Sequence, residues 1–168
     1  TLNNLLIPYT SNYAGTLLPG IREYTVTPGE KTTTISGKGK AGLKQEENYY
    51  FFYLPVCYKG ITGKSYAYYN TSRSKNLYLP ASVDENYSYD IQLPENLTLC
   101  TPIQEKKIDN PIGSFKITLT SEGSSLHIEL ALQIKKQLIT PAEYPAFRSL
   151  ITEWTDRTRK PILFKTVQ

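Results

Sequence analysis

Methionine is absent from this 168-residue sequence, tryptophan and histidine occur once each, and cysteine occurs twice. Cys57, Cys100 and His127 stand far apart in the chain, so a structural zinc site lacks its donors. No other cofactor is implied. Long apolar runs are missing too. The longest, Tyr49 to Tyr58, includes Pro55 and falls well short of the roughly 18 residues needed to cross a bilayer. No charged segment followed by an apolar stretch opens the chain. It starts at Thr1 without a methionine, which reads as a processed protein or a piece of a longer one. Charge of one sign is scarce: 19 Lys and Arg against 15 Asp and Glu leave a net charge of +4. That is too little for the dense basic stripe of a nucleic-acid binder. Walker, Rossmann, His-Glu-x-x-His and Gly-x-Ser-x-Gly motifs are all lacking. Gly37-Lys38-Gly39-Lys40-Ala41-Gly42 has neither the spacing of a phosphate loop nor a following amphipathic helix, and reads as a turn.

What is present is an ordinary globular composition, with 39% hydrophobic and 20% charged residues and 14 tyrosines. A chain of this length folds by default as one domain and buries roughly 70% of its unfolded surface, without needing metals or disulfides. Residues 1–20 read as a linker or N-terminal extension, and 21–168 as a single domain.

Alternation of apolar and polar residues, the mark of a strand with one buried face, recurs along the chain. Leu126, Ile128, Leu130, Leu132 and Ile134 alternate with His127, Glu129, Ala131, Gln133 and Lys135. Phe115, Ile117 and Leu119 form a second such row, and Ser121-Glu122-Gly123-Ser124 supplies the turn that makes the two runs a hairpin. Tyr87, Tyr89, Ile91 and Leu93 form a third. Further strands are expected over Arg22 to Thr27, Lys31 to Ser36, Asn48 to Val56 and Leu97 to Thr101, with Pro102 to Pro111 as a connection. The Asn48 to Val56 strand is aromatic on both faces, which suits a central or doubly covered position. Short strands punctuated by Pro and Gly, without helices between them, predict a mainly β fold. The form expected is an antiparallel β-sandwich of immunoglobulin-like type.

One helix interrupts this grammar. Thr140 as N-cap, Pro141 at the first position and Glu143 at the third form a capping box, which predicts a helix over about 141–156. Tyr144, Phe147, Leu150, Ile151 and Trp154 make its apolar stripe, while Arg157, Arg159 and Lys160 suit the negative end of the helix dipole. Pro161 stops it, and Ile162 to Val167 reads as a short terminal strand.

Candidate sites are few. Cys57 with His127, oriented by Asp90 or Asp109, would be a thiol nucleophile with its base. Yet Cys57 follows Pro55 at a strand end rather than opening a helix whose dipole would acidify it. A buried or edge cysteine, or a disulfide with Cys100, competes with that reading. His127 faces away from the apolar row, as a solvated or cross-strand histidine does. The stretch from Tyr58 to Tyr78 interleaves Tyr66, Tyr68 and Tyr69 with Arg73, small residues and lysines. Such a surface can stack sugar rings or grip a protein, although half-buried pleats also favour tyrosine. Asn70, Asn86 and Asn96 sit in Asn-x-Ser/Thr sequons. Nine Asn and 31 Ser or Thr give about two by chance, so they imply no glycosylation.

Taken in order, these landmarks resemble a known family. The aromatic strand Tyr49-Tyr50-Phe51-Phe52-Tyr53-Leu54-Pro55, the Arg73 to Leu79 segment, and Tyr87-Ser88-Tyr89-Asp90-Ile91-Gln92-Leu93-Pro94 come first. The Phe115 to Ile134 hairpin and the Ile139-Thr140-Pro141-Ala142-Glu143-Tyr144-Pro145-Ala146-Phe147 helix start follow. From about Asn48 to Phe164 the chain resembles the C-terminal domain of bacterial transglutaminase-like proteins, which are secreted or periplasmic multidomain proteins. The resemblance implies a secreted or periplasmic location. It also implies that the Cys-His-Asp machinery belongs to an upstream transglutaminase-like catalytic domain of the same polypeptide, and no position here matches the helix-initial cysteine. The chain is therefore expected to be a non-catalytic accessory domain, a scaffold or a module orienting substrate or partner. The alternative is a carbohydrate-binding module using Tyr66, Tyr68, Tyr69 and Arg73. Protein or glycan ligands fit these readings; nucleic acid and a membrane span do not.

Overall fold

The computed structural model describes residues 23–28, 33–38, 42–54, 61 and 72–167. Its elements in chain order are strands β1 (Glu23–Pro28), β2 (Thr33–Lys38), β3 (Lys44–Glu46), β4 (Tyr49–Phe52), β5 (Leu77–Tyr78) and β6 (Val83–Gln92). Then come β7 (Leu97–Leu99), β8 (Gln104–Asn110), β9 (Gly113–Glu122), β10 (Ser125–Ile134), β11 (Leu138–Ile139), helix α1 (Tyr144–Arg159) and β12 (Ile162–Thr166). The fold is mainly β with antiparallel sheets, and the helix near the C-terminus is followed by a terminal strand, as the alternation predicts.

The larger sheet has the order β6-β10-β9-β8, and a second sheet has the order β3-β4-β12-β7. β1 with β2, and β11 with β5, form two-stranded ribbons. In the larger sheet the alternation is realised residue by residue: Leu126, Ile128, Leu130, Leu132 and Ile134 of β10 and Phe115, Ile117 and Leu119 of β9 are all buried. Their alternates, from His127 to Gln133 and from Lys116 to Thr120, stand on the outer face. Phe52 and Phe164 of the second sheet, with Tyr144, Phe147, Leu150, Ile151 and Trp154 of α1, belong to the same core. Burying a side chain of this size contributes on the order of 1.5–3 kcal/mol. The two sheets and the helix are therefore held by one hydrophobic interior, with α1 laid against β9 and β10.

The turn between β9 and β10 is tighter than expected. Glu122 pairs with Ser125, leaving Gly123 and Ser124 as a two-residue loop, with Gly123 at a φ of +56° that an L side chain resists. The aromatic strand β4 lies centrally between β3 and β12, as its two aromatic faces suggest. It ends at Phe52 rather than Val56, and residues 55–60 are outside the described set.

Two expectations need correction. Pro102 to Pro111 is not a bare connection: Gln104–Asn110 forms β8, paired with β9 along its whole length. Its sequence, QEKKIDN, has Ile108 as its sole apolar residue, so an edge strand wetted on its outer face shows almost no alternation. The regular helix runs 144–159 rather than 141–156. The capping chemistry forms as expected. The Thr140 hydroxyl accepts from the Glu143 N–H at 3.4 Å, and the Glu143 carboxylate accepts from the Thr140 N–H at 3.1 Å. Pro145 has no N–H to give the Pro141 carbonyl, so residues 141–143 close as a turn, with Glu143 N–H on the Thr140 carbonyl. The first bond of α-helical spacing runs from the Phe147 N–H to the Glu143 carbonyl. Pro161 ends the helix two residues after Arg159.

Candidate functional site

Of the residues singled out in the tyrosine-rich stretch, Tyr66, Tyr68 and Tyr69 lie outside the described residues, as does Cys57. Arg73 is described, and its guanidinium carbon stands 5.8 Å from the centroid of the Tyr144 ring. That is within cation–π range. Tyr144 opens α1 and is buried, so the packed helix holds a ring beneath the cation. Cys100 follows β7 in the second sheet, half-buried and carrying a free thiol. His127 is on the outer face of the larger sheet. The two do not share an element or a sheet.

His127 is a cross-strand histidine. Register places it opposite Asp90, and its Nδ1 lies 2.7 Å from the Asp90 carboxylate. Its Nε2 faces Glu129 at 3.7 Å, and Glu129 in turn accepts from Lys116 at 3.0 Å. The hydrogen bond to Asp90 and the nearby Glu129 charge hold the imidazole above its usual pKa. Lys116 holds Glu129 below the usual carboxylate range. With a carboxylate at each ring nitrogen, this imidazole is arranged to carry charge rather than to take a proton from a nucleophile. Asp109 plays no part in this arrangement; it faces Lys107 instead.

Two depressions flank these features. One, of about 540 Å³, lies at the β6/β10 end by Asp90, Gln92, Ser125 and His127. Several of its polar groups bond one another: Gln92 bonds both Ser124 and Ser125, and Asp90 bonds His127. The other, of about 430 Å³, runs beside α1 from Tyr144 to Glu153. Pro141, Pro145 and Ile108 give it an apolar floor, and Arg73 and Arg148 bring two cations to it. Ser149 and Thr152 add hydroxyls. At its far end Glu153 is held by Lys106 at 2.5 Å, so that carboxylate is already neutralised. This groove is in the range of volumes that take small ligands or peptide side chains. It is the better candidate site because apolar, hydroxyl and cationic side chains meet in it.

Sequence reasoning selected Arg73 but missed Arg148, Ser149 and Thr152. They stand on the side of α1 away from its apolar stripe, where helical spacing signals only solvent. Ile108 was missed with its strand. The packing of α1 beside β8 joins Ile108 to the helix residues, and the contact with the Tyr144 ring adds Arg73.

Among the described residues no group of His, Cys, Asp and Glu is placed to hold a metal ion. No helix among them is long and apolar enough to cross a membrane.

Residues 48–164 match the sequence profile of DUF3858, a domain of unknown function with solved structure. The chain belongs to the DUF3858 family. The matched span is the one over which the landmarks from the aromatic strand to the terminal strand run. A crystal structure from Parabacteroides distasonis, called a "putative protease", is similar to the chain at 31% identity with a TM-score of 0.64. The similarity covers 73% of this chain and 24% of that protein, so the DUF3858 domain spans about a quarter of its structural relative. No curated protein matches the sequence.

Proposed function

We propose that this DUF3858 domain is a non-catalytic accessory module of a larger, protease-like protein. It acts as a scaffold or partner-orienting surface beside a transglutaminase-like catalytic domain carried upstream on the same polypeptide, in a secreted or periplasmic setting. The observation that carries this reading is the proportion of the match: a fold corresponding to 24% of a protein called a "putative protease". Two further features support it. Both nitrogens of His127 face carboxylates, and Cys100 lies just past β7 of the other sheet, which leaves the described residues without a thiol and base in partnership. The order of strand, hairpin, capped helix and terminal strand also resembles the C-terminal domain of transglutaminase-like proteins.

The test is an activity assay of the purified chain on peptide amide and glutamine-donor substrates. No turnover above buffer is expected. Turnover abolished by Cys57→Ala or Cys100→Ala would overturn the proposal and make the chain a cysteine enzyme in its own right.

A further inference from the structure

We propose that the outer face of the second sheet binds an uncharged, linear oligosaccharide, whose pyranose rings stack on the row Tyr49, Phe51 and Tyr53. Tyr50, Phe52 and Leu54 lie in the core or against it, so the three alternating rings share the opposite face. Alternate residues of an extended chain stand about 7 Å apart, which sets the rings in a line along β4 and one residue beyond it. Tyr49 and Tyr53 are 44% and 47% exposed, and Phe51 between them is half-buried. The row is separate from the groove beside α1 and shares no residue with it.

Register gives the row polar margins. β3 sets Lys44 against Phe51 and Glu46 against Tyr49, while β12 sets Leu163 against Phe51 and Lys165 against Tyr49. No ion pair among the described residues engages Lys44, Glu46 or Lys165. The Lys44 ammonium stands 5.6 Å from the centroid of the Tyr53 ring. A cation–π contact at so exposed a position is weak, so a ligand can displace the ammonium from the ring and use it as a hydrogen-bond donor.

The class of ligand follows from what surrounds the rings. The core of a protein interface is depleted of charge, whereas here charged side chains stand directly against the aromatic row. A nucleic acid calls for cations alone, and Glu46 breaks their run, with Glu47 in the adjoining turn. A pyranose ring offers apolar C–H faces to the aromatics and a rim of hydroxyls that both donate and accept. Lysine donors and a glutamate acceptor beside exposed rings match that combination. Because the rings run in a line, several linked sugars engage more of them than one sugar does.

The test is calorimetric titration of the full chain with cellohexaose, with N-acetylchitohexaose and, as a polyanion, with hexauridylate. At least one oligosaccharide is expected to bind with a dissociation constant tenfold or more below that of its own monosaccharide, and to keep its affinity as salt is raised. Tyr49→Ala and Tyr53→Ala are each expected to weaken binding tenfold or more. Tyr78→Ala, 68% exposed on β5, should leave it unchanged. Since Tyr49 and Tyr53 are exposed, both variants should melt like the parent; if one does not, the other decides.

Failure of both oligosaccharides to bind would overturn the proposal, as would tighter binding of hexauridylate or an equal loss in Tyr78→Ala. Binding lost in Tyr68→Ala but retained in Tyr49→Ala and Tyr53→Ala would also overturn it, by moving the sugar site to the tyrosine-rich stretch. Sugar binding at this face does not depend on the accessory role: turnover overturns that role, absence of binding overturns this one, and each can fail alone.

Discussion

Glycine carries the sharpest residue-scale constraints. At Gly113, where β9 begins, an added Cβ would stand 1.8 Å from the Gln133 carbonyl oxygen. No rotamer relieves a clash with backbone, so Gly113→Ala must separate β9 from β10. At Gly123 the obstacle is conformational, a φ of +56° with nothing within 4 Å of the added Cβ. Gly123→Ala should cost about 1–2 kcal/mol, and Gly113→Ala more, as compared by urea denaturation of the two variants. Gly123 was readable as a turn residue from its neighbours. Gly113 was not, because close approach by a strand ten or more residues away leaves no local sign.

Titration at single residues has a definite direction. Glu143 is lowered to about 2 by its hydrogen bond from Lys136 and by the backbone and side chain of Thr140. A carboxylate lowered on folding stabilises above its ordinary pKa, and that contribution is lost as pH falls from about 4.5 toward 2. His127 is raised, chiefly by Asp90. Its contribution is fully present below about 6.5 and is lost as pH rises through the folded value. Thermal melts across pH should therefore show Glu143→Gln removing part of the acid-side loss, and Asp90→Asn removing part of the decline above neutrality. Unchanged pH profiles in both variants would show that neither contact persists in solution.

At the scale of elements, α1 is the clearest case of local sequence dictating local structure. The capping box ties the Thr140 and Glu143 N–H groups into the turn that leads into the helix, and the stripe from Tyr144 to Trp154 buries as its spacing requires. Removing the Thr140 side chain is expected to cost about 0.5–2 kcal/mol. Trp154→Ala, at a fully buried position, should cost about 3–5 kcal/mol. Melting temperatures equal to the parent's in both variants would contradict this account of the helix. The regular α-helical start could also have been read, since Pro145 states in advance which bond is missing.

β8 is the opposite case, because its charged residues reveal neither face, and it forms by pairing with β9. Its last residue then ties the strand to the helix. The Asn110 side chain accepts from the Ile112 and Gly113 N–H groups at 2.9 and 3.3 Å and donates to the Ala146 carbonyl at 3.0 Å. The two-residue turn between β3 and β4 was equally silent. It places Glu47 at a φ of 53° without a glycine to announce it.

At the scale of the whole molecule, the shared core predicts shared fate. Leu130 and Phe115 of the larger sheet, Phe164 of the second sheet and Trp154 of the helix belong to one buried cluster, so these parts should unfold together. Trp154 is the single tryptophan and reports on the interior. Its fluorescence and the far-ultraviolet circular dichroism should give coincident urea transitions, and separated midpoints would divide the core in two.

Period-two and period-3.6 patterning by themselves determined the class of fold, the long hairpin, the helix and its cap, and the terminal strand. Each depends on neighbours a few residues apart, and burial then follows from which side chains share a face. The tertiary structure alone decided the rest. Pairing made a strand of the charged segment 104–110, register set Asp90 against His127, and placement of Arg73 over the Tyr144 ring brought it into one groove with Arg148. Those contacts join residues tens of positions apart, and the energy that selects them comes from closing a common core, to which no short segment contributes a readable pattern.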